Sequence, residues 1–246
     1  MKILVCISYV PDTTTKIQFT GDGKSLQAAG VQFILNPYDE YALAKALELT
    51  KDGTDGSVTV IHVGKSETEA VIRKALAAGA NDAIRIDAEP TDAYFVASQI
   101  ASYAASRSFD LILAGNESID YNGCQVPAMV AELLDLPSVL FAKSLNIENG
   151  VATLESEIEG GKEILKSPLP MVVSAIEGMA EARIPNMRGI MSARTKPLEI
   201  LPPAESAALT QVTGHEIPAP RGQVKLIDAE QTQQLIELLH EEAKVI

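Results

Sequence analysis

The stretch FDLILAGNESIDYNGCQVPAM, residues 109–129, decides the fold class of this chain. Its apolar run at 111–114 ends at Gly115, and a polar loop then leads into 126–134, where apolar residues recur with helical spacing. The stretch therefore predicts a strand, a loop and a helix in succession. In an open parallel sheet, ligands bind beyond the carboxyl ends of the strands, where loop amides and the next helix's amino end meet anions. We therefore expect this loop to bind a ligand.

The loop contains the residue types that a nucleotide site requires. Its two glycines allow the backbone to approach a ligand closely, and its Asn, Asp and Gln side chains can hydrogen-bond the edge of an adenine or a ribose. Loops of this kind also occur in other α/β domains, so the pattern alone does not name the ligand. The predicted loop comprises Gly115, Asn116, Glu117, Ser118, Ile119, Asp120, Tyr121, Asn122, Gly123, Cys124, Gln125 and Val126.

The rest of the N-terminal part repeats the alternation of strand and helix. Short apolar runs predict buried strands, and helical spacing of apolar residues predicts the helices that connect them. This order is typical of an α/β fold with a doubly wound, mostly parallel sheet, which is Rossmann-like and similar to the adenine-nucleotide α-hydrolases. The predicted strands are 2–9, 57–63, 83–86 and 111–114, and the predicted helices begin at Pro37, Glu67, Ala93 and Val126.

The pattern changes beyond Pro137. The pair Asn149-Gly150 lies between apolar segments, which is a strong hairpin signal. With a second turn near 160–161, it predicts three antiparallel strands that extend one edge of the sheet. The run 171–176 is then expected to return to the core as a buried strand.

The C-terminal part contains too few large apolar side chains over 204–220 to bury itself. An amphipathic helix is predicted at 228–244, with one apolar face. We therefore divide the chain into a nucleotide-binding α/β domain at 1–195, which includes the antiparallel extension and a candidate docking loop, and a C-terminal arm at 196–246. The arm and its helix are expected to pack on a partner chain.

The charge of the chain disfavours several classes of partner. A formal net charge of −13 over 246 residues opposes binding to nucleic acid or to an anionic membrane. The longest apolar runs are far shorter than the roughly 20 residues of a membrane-spanning helix, and the first predicted strand starts at Lys2. We therefore expect a cytoplasmic protein with no membrane insertion.

Few residues are suited to catalysis or to metal binding. The chain has three histidines and two cysteines, Cys6 and Cys124, which do not form a metal-ligand spacing. An enzyme with Cys124 as nucleophile is one alternative, because this residue precedes a helix that would stabilise a thiolate. An acid or histidine partner at a recognisable spacing is missing, so a packed or ligand-lining cysteine is favoured. We expect no catalytic residue and no metal site.

Two further residues each have two interpretations. Asn36 precedes Pro37, a favourable first helical residue, and is a good N-cap; at the edge of a crevice it can also contact a ligand. Met179 lies in 177–184, a segment without strong periodicity, and it is expected to be exposed between small residues. That segment is either a connection, which its composition favours, or a docking surface.

Four motifs in a fixed order resemble the small (beta) subunit of electron-transfer flavoproteins. The box NPYDE at 36–40 resembles the family's Asn-Pro-aromatic-x-Glu, and IRKALAAGA at 72–80 resembles its helix-to-strand segment. The loop SIDYNGCQ at 118–125 resembles its nucleotide loop, and RGIMSARTKPLE at 188–199 resembles its basic tail after the docking loop. The likeness extends over about 1–199.

The resemblance implies a heterodimeric electron carrier rather than an enzyme. A large (alpha) subunit would hold most of a redox-active FAD, and this chain would help enclose it and bind AMP in its own crevice. Electrons would arrive from flavin dehydrogenases, such as the acyl-CoA dehydrogenases of fatty acid β-oxidation, and leave through a quinone oxidoreductase for the respiratory chain. Met179 falls where the family has a leucine that anchors acyl-CoA dehydrogenases; the alternative is that Met179 only packs internally. Carried onto this sequence, the cofactor-binding residues are Cys6, Asn36, Pro37, Tyr38, Asp39, Val63, Gly64 and the loop 115–126.

Two alternatives stay open. Bifurcating members of the family place a second FAD in the crevice where others bind AMP, and Gln125-Val126 is similar to their loop. The other alternative is an adenine-nucleotide sensor similar to the universal stress proteins, built on a similar sheet. The chain differs from such sensors because it lacks a glycine-rich phosphate loop ending in Gly-Ser and has a long C-terminal arm.

Overall fold

The computed structural model describes residues 1–51, 56–220, 222 and 224–246. Within these ranges, helices cover both faces of a nine-stranded sheet, and a two-stranded sheet lies beside it. The strands are β1 Lys2–Cys6, β2 Tyr9–Pro11, β3 Phe33–Leu35, β4 Ser57–Val63, β5 Asp82–Ile86, β6 Leu111–Gly115, β7 Ser138–Glu148, β8 Val151–Ile158, β9 Gly161–Pro168, β10 Met171–Ala175 and β11 Leu198–Leu201. The helices are α1 Pro37–Leu49, α2 Glu69–Ala78, α3 Ala93–Ala105, α4 Val126–Leu133, α5 Met187–Ala193 and α6 Thr232–Glu241.

The order of the strands confirms the predicted fold class. The large sheet runs β11-β5-β4-β1-β6-β10-β7-β8-β9. All pairs from β11 to β7 are parallel, and β8 and β9 are antiparallel additions. The chain winds outward from β1 through β4 to β5 and then crosses to β6 on the other side of β1. The crevice between the carboxyl ends of β1 and β6 is therefore the topological switch point, where α/β sheets bind ligands.

Strand β1 shows why the sheet is buried on both faces. Ile3 and Val5 belong to a core that includes residues of α1 and α2, whereas Leu4 and Cys6 belong to a core that includes residues of α3 and α4. A continuous apolar run with alternating orientation is what a central parallel strand requires. The two cores pack the sheet between helices on both of its faces.

The first predicted strand, 2–9, is wrong at its carboxyl end. The amide of Ile7 makes a last bond to the carbonyl of Ile61 at 3.0 Å, but the amide of Ser8 donates to the carboxylate of Asp39 at 2.7 Å. The backbone then leaves the large sheet, and β2 pairs with β3 in the small antiparallel sheet. A side chain from α1 therefore ends the strand.

The antiparallel extension follows the sequence-based expectation. Strands β7, β8 and β9 form consecutive antiparallel pairs, and Gly150 turns between the first two with φ of 77°. The predicted returning strand is β10, which pairs in parallel with both β6 and β7.

Four residues that the sequence analysis assigned to the arm belong to the sheet. Strand β11 pairs in parallel with β5, so the chain leaves the sheet after Leu201. The helix that follows also differs from the prediction, since α6 begins at Thr232, and Asp228 instead accepts from the amide of Glu230 at 3.0 Å in a turn. Among the described residues, no helix has the length and apolar character needed to cross a membrane.

Candidate functional site

Asp39 joins the two strands that border the switch point. It lies in the first turn of α1, and its side chain is buried with 3% exposure. One carboxylate oxygen accepts from the amide of Ser8 at 2.7 Å, directly beyond β1, and the other accepts from the amide of Gly115 at 2.9 Å, at the end of β6. Both carboxylate oxygens therefore accept hydrogen bonds from backbone amides, one near the end of each strand. Asp39 thereby links the ends of β1 and β6, and we refer to this link as the brace of the crevice.

The environment of Asp39 opposes its charge. Burial raises the pKa of this carboxyl group to about 7, and hydrogen bonds from surrounding groups, including the amides of Ser8 and Gly115, act in the opposite direction. These donors offset part of the cost of burying a carboxylate. Substituting Asp39 would therefore leave the buried amide of Gly115 and the partly buried amide of Ser8 without their acceptor.

Gly115 is required by the approach of α1 to β6. A Cβ atom added here would lie 2.7 Å from the Cβ of Tyr38 and 2.8 Å from the amide nitrogen of Asp39. The sequence analysis attributed this glycine to the approach of a ligand. The structure shows a second and sufficient reason, because the first turn of α1 occupies the space that a side chain would need.

Asn36 attaches the loop to the start of α1. Asn36 occupies the predicted N-cap position directly before Pro37, but within the described chain its side chain makes no cap hydrogen bond. Its amide group donates to the carbonyl of Glu117 at 2.8 Å, and its oxygen accepts from the amide of Ile119 at 3.3 Å. The side chain is fully buried. Asn36 therefore fixes the entry of the loop.

The thiol of Cys124 belongs to a hydrogen-bonded network inside the loop. It donates to Glu117 at 3.2 Å and accepts from the amide group of Asn116 at 3.4 Å. The oxygen of Asn116 accepts in turn from the hydroxyl of Ser174 on β10 at 3.3 Å. Burial and the neighbouring Glu117 raise the pKa of Cys124, so the thiol stays protonated at neutral pH. This environment disfavours a thiolate nucleophile.

The loop has a buried base and an exposed tip. Gly115 and Asn116 are buried, whereas 120–123 and Gln125 are exposed. Within the described residues, no side chain caps the amino end of α4, which directly follows. Uncapped amides at a helix amino end are free to bind an anion.

The other predicted cofactor residues lie at the same edge of the sheet. Cys6 ends β1 and is buried in the core, where desolvation raises the pKa of its thiol. Val63 ends β4, the neighbour of β1, and Gly64 follows it. Tyr38 is next to the brace. The structure therefore brings the predicted residues together at the carboxyl edge, around the switch point.

Met179 does not have the exposure that the sequence analysis expected. Its side chain is 4% exposed and packs in the core on the α1 and α2 face. In the segment that follows, Ile184 is 94% exposed and Met187 is 73% exposed. The exposed apolar side chains of this region therefore lie after Met179.

His62 is a buried polar residue that the sequence analysis missed. It interrupts the apolar strand SVTVIHV, which was the available signal. Its Nδ1 lies 2.8 Å from the carbonyl oxygen of Ile7, which requires a proton on Nδ1, while Nε2 has no hydrogen-bond partner among the described residues. Burial lowers the pKa of His62, since a charged ring would lack a second partner.

We expect His62 to reduce the stability of the protein at acidic pH. Because its pKa is lowered in the folded state, the unfolded state binds more protons as the pH falls below about 6.5. The contribution of neutral His62 to the free energy of unfolding is fully present above that pH. As the pH falls below it, this contribution is lost by up to about 1.4 kcal/mol per pH unit. Urea denaturation of the wild type and of His62→Gln at pH 7.5 and 5.5 measures this effect. Equal losses in both proteins would contradict it.

Comparison with known proteins assigns the fold and the loop to a family. Residues 25–206 match the family model described as the electron transfer flavoprotein domain. The chain belongs to the electron transfer flavoprotein family. The resemblance that the four motifs indicated is thereby confirmed.

Several curated members of the electron transfer flavoprotein family are similar over most of their length. A Bacillus subtilis protein named electron transfer flavoprotein subunit beta is 36% identical over 260 aligned positions, which cover all of both chains. A protein of the same name from Syntrophomonas wolfei is 35% identical, over 89% of this chain and 86% of its own. A protein of the same name from Megasphaera elsdenii is 32% identical, over 85% of this chain and 80% of its own. Membership in the electron transfer flavoprotein family implies association with a flavin.

Proposed function

We propose that this chain is the beta subunit of a heterodimeric electron carrier. Its alpha subunit partner would hold most of the FAD, and this chain would help enclose the flavin and bind AMP in its own crevice. The observation that carries the proposal is the loop at the switch point, held by Asn36 and Asp39 and followed by the uncapped amino end of α4. The flavin would supply the redox chemistry, while the protein supplies binding and orientation.

The crevice suits an adenine nucleotide in two respects. The amino end of α4 provides amides for a phosphate group, and the exposed loop tip carries Asp120, Asn122 and Gln125, which can hydrogen-bond a ribose or an adenine. The base of the loop is already fixed by hydrogen bonds between the side chains of Asn36 and Asp39 and the loop backbone. Nucleotide binding would therefore order little additional backbone.

The C-terminal arm is proposed to bind the alpha subunit. Its first part is held by this chain, since the side chain of Gln99 pairs with both backbone groups of Ala204 at 2.7 and 3.1 Å. Asp92 accepts from the amides of Leu209 and Thr210 at 2.7 Å each. None of the α6 side chains, all of which the structure describes, is buried. An amphipathic helix whose apolar face is not covered by its own chain is suited to packing against a partner subunit.

A dehydrogenase is proposed to bind at the segment that contains Ile184 and Met187. Both side chains are apolar and more than two-thirds exposed, in contrast to Met179. The stretch 183–196 carries arginines and a lysine but no acidic residue, although the chain as a whole is strongly acidic. A partner with an apolar pocket and an acidic rim fits this surface. The electrons would then leave through a quinone oxidoreductase.

The heterodimer is tested by coexpression with a tagged alpha subunit of the same family. We expect copurification of the two chains, a flavin absorbance spectrum, and reduction of that flavin by an acyl-CoA dehydrogenase with its substrate. A chain that does not copurify, yet binds adenine nucleotide alone, would instead support the nucleotide sensor.

A charge introduced into the docking segment, residues 184–191, is expected to weaken binding of the dehydrogenase strongly. Replacing an exposed apolar anchor raises the free energy of binding by about 1–2 kcal/mol or more. We therefore expect Met187→Glu to raise the carrier concentration for half-maximal electron transfer by about tenfold. The control is Ile164→Glu on β9, which is also exposed, at the opposite edge of the sheet. Equal effects of the two substitutions would contradict docking at this segment.

A further inference from the structure

The carboxyl ends of α2 and α5 are joined by two cationic side chains, one from α2 and one from the segment that follows α5. Arg73 on α2 donates from one guanidinium nitrogen to the carbonyls of Ala193 and Lys196, both at 2.8 Å, where α5 ends. The Lys196 ammonium group donates to the carbonyls of Leu76, at 2.9 Å, and Ala80, where α2 ends. The last carbonyls of a helix lack partners within it, and cations are favoured there by the helix dipole. Arg73 of α2 therefore caps the end of α5, and Lys196, three residues beyond α5, caps the end of α2.

The backbones of the two helices also touch. A Cβ atom added to Gly189 of α5 would overlap the carbonyl oxygen of Ala77 on α2. Ala193 is buried at 3% exposure against this contact, and the side chain of Asn186 accepts from the amide of Gly189 at 2.9 Å at the start of α5. The short helix is thus held at its start, its middle and its end.

The opposite side of α5 is exposed. Met187 and Met191 are 73% and 67% exposed, and Ile184 precedes them. A helix of 7 residues is far below the length at which isolated helices are stable in water, so its order depends on its contacts with α2. The two cationic caps and the close approach at Gly189 therefore determine how the apolar side chains are presented.

We propose that Arg73, Lys196 and Gly189 are positioning residues that hold the docking segment in its binding conformation. This inference rests on the proposed function, in which 184–191 binds the dehydrogenase. Holding the segment before the encounter reduces the ordering cost of binding. Gly189 lies on the side of α5 that contacts α2, Arg73 lies on α2, and Lys196 follows α5, so all three act on the partner through the position of α5.

The test is electron transfer from an acyl-CoA dehydrogenase to the complete heterodimer at varied carrier concentration. We expect Arg73→Met to raise KM for the carrier about fivefold with kcat unchanged, since ordering costs add to binding. The matched control is Lys74→Met, the next residue on α2, which also removes one positive charge; its ammonium group pairs with Glu40 of α1 at 2.6 Å. Arg73→Lys, which keeps a donor, is expected to fall between the two.

Amide hydrogen exchange supplies a readout that does not depend on activity. In Arg73→Met, the amides of 187–193 are expected to exchange faster while those of β1 and β6 keep their protection. Gly189→Ala is expected to reproduce both effects by separating the helices. Equal KM values for Arg73→Met and Lys74→Met, or unchanged exchange in α5, would overturn the inference. If Met187→Glu also leaves KM unchanged in the same assay, the proposed docking segment itself fails.

Discussion

Gly115→Ala is expected to destabilise the protein by about 3 kcal/mol or more. The added methyl group would overlap the first turn of α1, including the amide nitrogen of Asp39 and the Cβ of Tyr38, and backbone atoms of a helix cannot rotate away. Helix α1 would have to move outward, which breaks the hydrogen bond between Asp39 and the amide of residue 115. Urea denaturation of the purified chain measures the loss.

A matched control separates this clash from the general effect of removing a glycine. A Cβ atom added to Gly161, at the start of β9, would meet no atom within 4 Å among the described residues. We expect Gly161→Ala to change the free energy of unfolding by less than about 0.5 kcal/mol. Similar losses for both variants would show that α1 does not restrict residue 115.

Asp39→Ala is expected to have the second large effect. The substitution removes the acceptor of two amides at the switch point, those of Ser8 and Gly115. A donor left without a partner in the protein interior costs about 1–3 kcal/mol, so the loss of the acceptor for two donors costs roughly 2–6 kcal/mol. Because the brace holds both strands that border the crevice, we also expect weaker nucleotide binding by the heterodimer.

The neighbouring residue Glu40 provides the control for Asp39. It lies in the same turn of α1, but its carboxylate forms an ion pair with Lys74 at the surface. Such pairs contribute about 0–1 kcal/mol. Glu40→Ala should therefore change stability and nucleotide binding little. If Asp39→Ala were as mild as Glu40→Ala, the carboxylate would not be the brace that its geometry indicates.

The parallel core of the fold was predictable because its signals are local. Strands β4, β5 and β6 are short, mostly apolar segments followed by a turn or a helix signal, and Asn149-Gly150 specified the hairpin of the extension. The side chain that ends β1 is that of Asp39, which lies 31 residues after Ser8 in the sequence. The local sequence 2–9 therefore could not indicate where the strand ends. Strand β11 was missed because prolines flank it, which an edge strand tolerates.

The site was predictable in its location but not in the roles of its residues. The loop 115–126 was predicted from the local pattern of strand, loop and helix, and the strand order then places that loop beside the switch point. Asn36-Pro37 starts α1 as the sequence predicts, but the asparagine side chain bonds to a loop 81 residues away, which its local sequence does not indicate. Met179 was expected to be exposed because its sequence neighbours are small, whereas burial depends on the core that surrounds it.

The most direct test of the account is the nucleotide content of the purified heterodimer. After coexpression with the alpha subunit, the complex is denatured and the released FAD and AMP are quantified by chromatography. The account predicts one FAD and one AMP for each heterodimer, with the AMP reduced or lost in Asp39→Ala. Two FAD molecules would assign the crevice to a second flavin and the protein to the bifurcating branch. A complex with no nucleotide beyond the alpha subunit's FAD would contradict the claim that the braced crevice is a nucleotide site.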